Sequence, residues 1–156
     1  MRPLPMLNSA PAALLLAFAL GQLGCASQLA FAPPDLQVRA VEFPPPSPGK
    51  VRLYVFRGGG LGRTLLPVLI DGVMLGSTIH HSFLVTELLP GSHVIASPTD
   101  ENVSTVRLEA KEGQIYFVKL STRWGWRYTR SALVQVDETE GREDISHSRM
   151  VQSISP

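Results

Sequence analysis

Short runs of alternating apolar and polar residues, separated by turns rich in glycine and proline, fill the chain from residue 50 onward. Asp71-Gly72 lies between two apolar runs and favours a type I′ hairpin turn. Pro90-Gly91 suits a type II turn and predicts a second hairpin, from FLVTELL into HVIAS. In VRLYVFR, the residues that share one face of a half-buried strand are Val51, Leu53 and Val55. About six to eight such strands, without the period of a long helix, predict an all-β domain built as an antiparallel β-sandwich.

Composition narrows the class of protein without indicating an activity. The 156 residues leave room for one modest domain with extensions. A formal net charge of +1 offers no broad basic surface for nucleic acid. Cys25 is the only cysteine, so the chain forms no internal disulfide and its fold depends on a packed core.

Residues 1–24 have the layout of a bacterial lipoprotein signal peptide. Arg2 supplies a positive start, and the apolar run from Ala12 to Leu20 is too short to span a bilayer as a mature helix. Gly24-Cys25 resembles a lipobox, in which the cysteine thiol is acylated and becomes the first residue of the mature protein. Gln22 stands where lipoboxes usually have leucine.

Cys25 has three interpretations. Acylation holds a protein at a membrane, because each buried CH₂ of an acyl chain contributes about 0.8 kcal/mol. Ala26 follows in place of the aspartate that retains lipoproteins at the inner membrane, which indicates the outer membrane, facing the periplasm. Alternatively, an ordinary signal peptidase cuts between Cys25 and Ala32 and leaves no lipid. A catalytic thiolate is disfavoured because Cys25 lies outside any domain. We therefore expect a lipid anchor at Cys25 and no cofactor.

Proline-rich sequence connects Cys25 to the strands. Residues 25–49 contain APPD and FPPPSPGK, and proline both lacks an amide hydrogen and restricts its neighbour. This pattern predicts an extended linker largely free of helix. The alternative is an added strand that includes Leu36, Val38 and Val41. The sandwich is expected at residues 50–151, where REDISHSRMVQ is interpreted as a short helix or extended segment, and a tail follows at 152–156.

Three histidines and one serine are the candidates for metal or catalytic chemistry. A zinc site needs several converging ligands, whereas His80 and His81 are adjacent and point to opposite faces of a strand. His93 follows a turn. Ser82, His81 and Asp71 lack the strand-turn-helix setting of a hydrolase triad. GGGLGR lacks the Gly-Lys-Ser/Thr of a phosphate loop and is predicted to be a flexible loop. These observations disfavour an enzyme.

RWGWRYTR is the most distinctive patch. In an extended chain Trp124, Trp126 and Tyr128 share one face, flanked by Arg123 and Arg127. Aromatic residues at strand period are usually packed, so the favoured interpretation places Trp126 and Tyr128 over the end of the core. If exposed, the same stripe would stack on sugar rings or bases, or rest at a membrane interface. In a periplasm it would bind a glycan or an envelope protein rather than nucleic acid.

Five segments in order, PGKVRLYVFR, VLIDGVMLGS, LLPGSHVIAS, LEAKEGQIYFVKL and LVQVDETEGREDISHSRMV, resemble the bacterial lipoproteins of domain of unknown function 2846 (DUF2846). The resemblance covers residues 48–151, and single pieces of it are also similar to PEGA-type domains. It implies a secreted, usually lipid-anchored β-sandwich and brings no catalytic residues.

Cys25 and this resemblance together predict a membrane-anchored envelope lipoprotein whose sandwich is a non-catalytic binding or structural module. One alternative is a small periplasmic metal-binding protein or enzyme that uses His80, His81 and His93. The other is a secreted interaction domain without lipid.

Overall fold

In the computed structural model, which describes residues 29–59 and 64–154, the chain is mostly β-strand with two short helices. The strands are β1 (Val51–Arg57), β2 (Leu66–Ile70), β3 (Val73–Thr78), β4 (Ser82–Leu88), β5 (Gly91–Pro98), β6 (Val103–Ala110), β7 (Ile115–Trp124), β8 (Thr129–Val136) and β9 (Arg149–Met150). The helices are α1 (Pro34–Val41) and α2 (Glu138–Ser146). Burial follows the sequence alternation: β2 buries its first, third and fifth residues, and the two between them are half-buried.

The strands form two sheets. One has five strands in the order β8-β7-β1-β4-β9, and the other has four in the order β3-β2-β5-β6. The predicted all-β sandwich is therefore confirmed. The five-stranded sheet is mixed rather than antiparallel throughout, because β1 pairs in parallel with β7 and β4 pairs in parallel with β9. Both parallel pairings join strands distant in sequence, as a parallel connection requires.

The two predicted hairpin turns have different outcomes. Asp71 and Gly72 both have positive φ, 51° and 83°, which is the type I′ geometry that joins β2 to β3. Pro90-Gly91 instead carries the chain from β4 in the five-stranded sheet to β5 in the four-stranded sheet. The second predicted hairpin is therefore wrong, because its two strands lie in different sheets and Gly91, with φ 142°, lacks the geometry of a type II turn.

The hydrophobic core has two layers. The first fills the space between the sheets with aliphatic side chains, including Leu53, Val55, Val68, Ile95 and Val118. The second lies on the other face of the five-stranded sheet, where the helices cover it, and includes Ala40, Tyr54, Phe56, Phe83, Phe117 and Ile145. β1 is buried on both faces because its alternate residues belong to alternate layers.

The proline-rich segment forms a helix. α1 begins at Pro34, where proline is favoured because the first turn of a helix has no partner for its amide. Ala40 packs into the second core layer, and its carbonyl accepts the Tyr54 hydroxyl at 2.8 Å. The predicted helix-free linker and the alternative added strand are therefore both wrong over Pro34–Val41, because a buried surface for the helix is present on the sheet.

Both ends of the described chain pack against the sandwich. Phe31 forms an antiparallel bridge with Val151, and backbone hydrogen bonds continue the pairing on either side. The predicted tail at 152–156 is paired as far as the structure describes it. The described domain includes residues from 29 onward, so the predicted start at 50 is too late. Cys25 and the predicted signal peptide lie outside the described residues.

α2 packs closely on the five-stranded sheet. Asp137 caps the helix, since its carboxylate accepts the Glu140 amide at 2.9 Å. A Cβ on Gly141 would lie 2.4 Å from the Phe117 ring, so glycine permits this close approach. The segment after Gly141, interpreted as a short helix or an extended segment, contains both: α2 starts before it at Glu138 and ends at Ser146, and β9 follows. Among the described residues, no helix is long and apolar enough to cross a membrane.

Candidate binding surface at the hairpin tip

The connection between β7 and β8 carries the RWGWRYTR patch. β7 ends at Trp124, β8 begins at Thr129, and the residues between them form a turn. Trp124 is 88% exposed, Trp126 90% and Tyr128 59%. The prediction that Trp126 and Tyr128 cover the core is therefore wrong, because the chain has left the sheet and a two-residue period no longer decides which side is buried. We name Trp124, Trp126 and Tyr128 the aromatic tip.

Glu101, in the loop between β5 and β6, holds this turn. Its carboxylate accepts hydrogen bonds from three successive amides, those of Trp126 at 3.0 Å, Arg127 at 2.5 Å and Tyr128 at 2.7 Å. Arg130 Nε donates to the same carboxylate at 3.0 Å. The hydrogen bonds from the Arg127 and Tyr128 amides, joined by the other two, lower the pKa of Glu101 to about 2. We name this arrangement the Glu101 clamp.

Gly125 is required by the same geometry. A Cβ at this position would lie 1.9 Å from Glu101 Oε2 and 2.4 Å from the Tyr128 carbonyl oxygen. The Gly125 amide donates to that carbonyl at 3.1 Å. A glycine between two tryptophans was the signal in the sequence for a tight turn rather than a continuous strand.

Asn102 fastens the hairpin to the other sheet. Its Oδ1 accepts the Ser131 amide at 3.0 Å, and its Nδ2 donates to the Ser131 carbonyl at 2.9 Å. The Leu133 amide donates to Ser104 Oγ at 2.9 Å. These bonds join β8, at the edge of the five-stranded sheet, to the start of β6, at the edge of the four-stranded sheet. The aromatic tip therefore stands on an edge where the two sheets are bridged.

A groove of about 590 Å³ runs beside the aromatic tip. The three aromatic residues line it together with polar residues, including Thr99, Asp100, Arg127 and Thr129. Asp100 and Arg127 are exposed. Arg123 is also exposed, but it lies on β7 opposite Arg130 and is not among the described residues that line the groove. Sequence reasoning therefore identified the aromatic residues and Arg127, and missed Glu101, Asn102 and Asp100.

The structure does not bring the three histidines together. His80 and His81 lie in the turn between β3 and β4, so the prediction that they occupy a strand is wrong. His93 contacts Leu89, which follows the far end of β4. Ser82 is buried and its hydroxyl donates to the Ile79 carbonyl at 2.8 Å. Within residues 29–59 and 64–154, no group of three or more His, Cys, Asp or Glu side chains is placed to hold a metal ion. Residues 60–63 of the predicted GGGLGR loop lie outside the described ranges.

His93 links the Asp71-Gly72 turn to β5. Its Nδ1 lies 2.6 Å from Asp71 Oδ2, and its Nε2 lies 2.8 Å from the Leu89 carbonyl oxygen. Both contacts are hydrogen bonds only when the ring is protonated, because both partners are acceptors. Burial disfavours that charge, but the bonds to Asp71 and Leu89 outweigh it and raise the pKa of His93. The hydrogen bonds from His93 and from the Val94 amide lower the pKa of Asp71.

Comparison with known proteins identifies a relative that is itself uncharacterized. No family model matches the chain. An uncharacterized protein of Haemophilus influenzae is 29% identical over 115 residues, which span 73% of this chain and 68% of that protein. The fold and the site together define a two-sheet β domain that displays aromatic side chains on a clamped hairpin, and function is inferred from those residues.

Proposed function

We propose that this protein is a bacterial envelope lipoprotein, anchored through acylated Cys25, whose β-sandwich is a non-catalytic binding module. The aromatic tip carries this proposal: Trp124 and Trp126 are 88% and 90% exposed on a turn that the Glu101 clamp holds. Exposed aromatic clusters are typical of binding surfaces. A turn that is already ordered loses less conformational entropy when a ligand binds.

The first 28 residues support the anchored part of the proposal. The signal layout and the Gly24-Cys25 pair indicate acylation, and Ala26 indicates the outer membrane. The resemblance of residues 48–151 to DUF2846 lipoproteins, which are usually lipid-anchored, supports the same anchor. Residues 26–28 separate Cys25 from Leu29, where the described domain begins. A fully extended chain over that interval spans about 14 Å. The proposed anchor therefore keeps the sandwich close to the lipid headgroups rather than on a long proline tether.

Metabolic labelling with an alkyne-tagged fatty acid tests the anchor. The wild-type protein is expected to carry the label and to fractionate with outer membranes. Cys25→Ala is expected to carry no label and to appear in the soluble periplasmic or secreted fraction. Equal labelling of the two proteins would contradict the anchor, and an unlabelled wild type found in the soluble fraction would favour the secreted domain without lipid.

In-cell photo-cross-linking tests the binding module. A photoreactive phenylalanine analogue at Tyr128 is expected to capture an envelope component. The matched control is the same analogue at Leu89, which is 61% exposed and lies after β4, at the other end of the sandwich. Trp126→Ala in the Tyr128-substituted chain is expected to abolish the capture. Equal capture from Tyr128 and Leu89, or capture that survives Trp126→Ala, would contradict binding by the aromatic tip.

The alternative of a metal site or active site built from His80, His81 and His93 requires these three side chains to converge. The structure places His93 against Asp71 and the Leu89 carbonyl, away from the other two. Stoichiometric zinc in the purified protein, lost on His80→Ala, would restore that alternative.

A further inference from the structure

We infer that the groove beside the aromatic tip binds a glycan, with pyranose rings stacked on Trp124 and Trp126. This inference rests on the proposed function and names the ligand class of the same surface. A pyranose ring presents a flat face of C–H groups, which packs on an indole, and a rim of hydroxyl groups, which needs hydrogen-bonding partners. A groove that binds a glycan must therefore offer aromatic faces for the C–H groups and polar side chains for the hydroxyl groups.

Polar side chains in the groove supply hydrogen-bonding partners for the sugar hydroxyl groups. Asp100 and Arg127 are exposed and line the groove beside Trp126. A carboxylate accepts from sugar hydroxyls and a guanidinium donates to them. Glu101 already accepts from three backbone amides and Arg130, so the two neighbouring carboxylates have separate tasks. Glu101 orders the turn, and Asp100 faces the ligand.

The size of the surface favours a glycan over a protein. Thirteen of the described residues line the groove, whereas a standard protein interface takes about 20–30 residues from each partner. The groove volume of about 590 Å³ falls in the range of small-ligand clefts, about 300–1,000 Å³. A short stretch of glycan chain has the dimensions for such a groove.

The direction of the aromatic tip favours a glycan over the anchoring membrane. Phe31 bridges to Val151, which lies one residue beyond Met150 and is therefore level with Val118 of β7. Trp124 lies six residues further along β7, about 20 Å beyond that level. The backbone at Phe31 runs antiparallel to β9 and so parallel to β7. From Phe31 back to Leu29 the described chain therefore runs away from the aromatic tip.

Intrinsic fluorescence tests this inference directly, because the chain has two tryptophans and both are in the aromatic tip. The full acylated chain in detergent is titrated with glycan strands released from purified sacculi, and separately with the polysaccharide of lipopolysaccharide. We expect a saturable change in emission with at least one of these glycans. Trp126→Ala is expected to weaken that affinity by about tenfold or more, and Asp100→Asn by about threefold or more. Leu89→Ala is the control and is expected to leave it unchanged.

No saturable change with either glycan overturns the inference. If cross-linking from Tyr128 then identifies a protein, the binding module stands and the ligand class is wrong. Quenching of the same tryptophans by brominated lipids, after reconstitution into vesicles, would overturn the inference in favour of a membrane surface. Absence of fatty-acid label on Cys25 contradicts the anchor while leaving the titration unchanged, so the two failures are distinguishable.

Discussion

Aromatic side chains occur in two regions of this molecule, and they are buried in one and exposed to solvent in the other. Beneath the helices, Tyr54, Phe83 and Phe117 are at most 1% exposed, and the rings of Tyr54 and Phe117 stack with centroids 5.4 Å apart. At the aromatic tip, Trp124 and Trp126 are 88% and 90% exposed. The first region contributes to stability by burial. The second buries little, yet its backbone is held by the Glu101 clamp.

This difference shows that order and burial have separate causes in the two regions. Beneath the helices, removal of apolar surface from water drives the packing and orders the rings at the same time. At the aromatic tip, a carboxylate and three amides order the turn and leave the indoles uncovered. If the two regions are independent, changes under the helices should affect global stability, and changes at the tip should affect local order and binding.

Phe117→Ala is expected to have the largest effect on stability. Truncation of a fully buried ring removes its packing and leaves a cavity, which lowers the free energy of unfolding by about 3–5 kcal/mol. Trp126→Ala is the matched truncation at the tip and is expected to change it by less than about 0.5 kcal/mol. Urea unfolding followed by circular dichroism measures both. A large loss for Trp126→Ala would show that the aromatic tip is part of the folding core.

Gly141→Ala is expected to have the next largest effect. The added Cβ would lie 2.4 Å from the Phe117 ring, so α2 must move away from the sheet. Overpacking of this kind lowers the free energy of unfolding by about 1–3 kcal/mol, although alanine favours a helix over glycine by about 1 kcal/mol. Glu143→Ala, at an exposed position of the same helix, is the control and should be nearly neutral in the same unfolding measurement. Equal stability of the two variants would contradict the close packing of α2.

The sequence predicted the strands and one turn, but not which strands pair. Alternation and the Asp71-Gly72 signal are local, and each acts through the conformation of a few neighbouring residues. Pro90-Gly91 has the same local chemistry whether its flanking strands pair or separate into two sheets. The pairing of β1 with β7 depends on residues far apart in sequence, such as Leu53 and Tyr116. Such a contact is decided by packing of the whole domain.

In the candidate site, too, local features could be predicted from the sequence and long-range contacts could not. The aromatic residues were visible as a pattern, but Glu101 was not, because the clamp joins it to amides 25 to 27 residues away. The helices had readable local signals. Pro34 suits a first helical turn, and Asp137 followed three residues later by Glu140 resembles a helix cap. The Pro34 signal was overlooked because the proline-rich composition of residues 25–49 favoured a linker without helix, although proline is tolerated in the first turn of a helix.

The Asp71–His93 pair is expected to give a smaller, pH-dependent effect. The pKa of His93 is raised above its usual 6.5, so its contribution is complete below pH 6.5 and is lost as pH rises through the higher folded value. The pKa of Asp71 is lowered below its usual 3.8, so its contribution is present above pH 3.8 and is lost as pH falls through the lower folded value. The pair therefore stabilises the turn most between about pH 4 and 6.5.

His93→Gln tests this window. Because the Asp71 side chain is 48% exposed, solvent screening limits the expected loss to about 0.5–1 kcal/mol near pH 5.5. The loss should shrink toward about pH 8, where wild-type His93 has released its proton. Urea unfolding at a series of pH values measures the difference between the two proteins. A difference that does not vary with pH would show that His93 acts by packing alone.

Glu101→Gln is expected to change global stability least and local order most. The amide keeps the shape of the carboxylate but removes its charge and leaves a single acceptor oxygen for several donors. Backbone amide exchange at Trp126, Arg127 and Tyr128 should therefore accelerate by about tenfold or more, while exchange in β1 stays the same.

The pKa of Glu101 is lowered from 4.5 to about 2, so the wild-type clamp is present above pH 4.5 and is lost only as pH falls through about 2. At about pH 3.5 an ordinary glutamate would already be protonated. Slower exchange of the tip amides in the wild type than in Glu101→Gln at this pH would therefore show that the wild-type carboxylate is still ionised. Equal exchange of the tip amides would mean that strand pairing alone orders the turn, and the order of the aromatic tip would then be a by-product of folding, as it is beneath the helices.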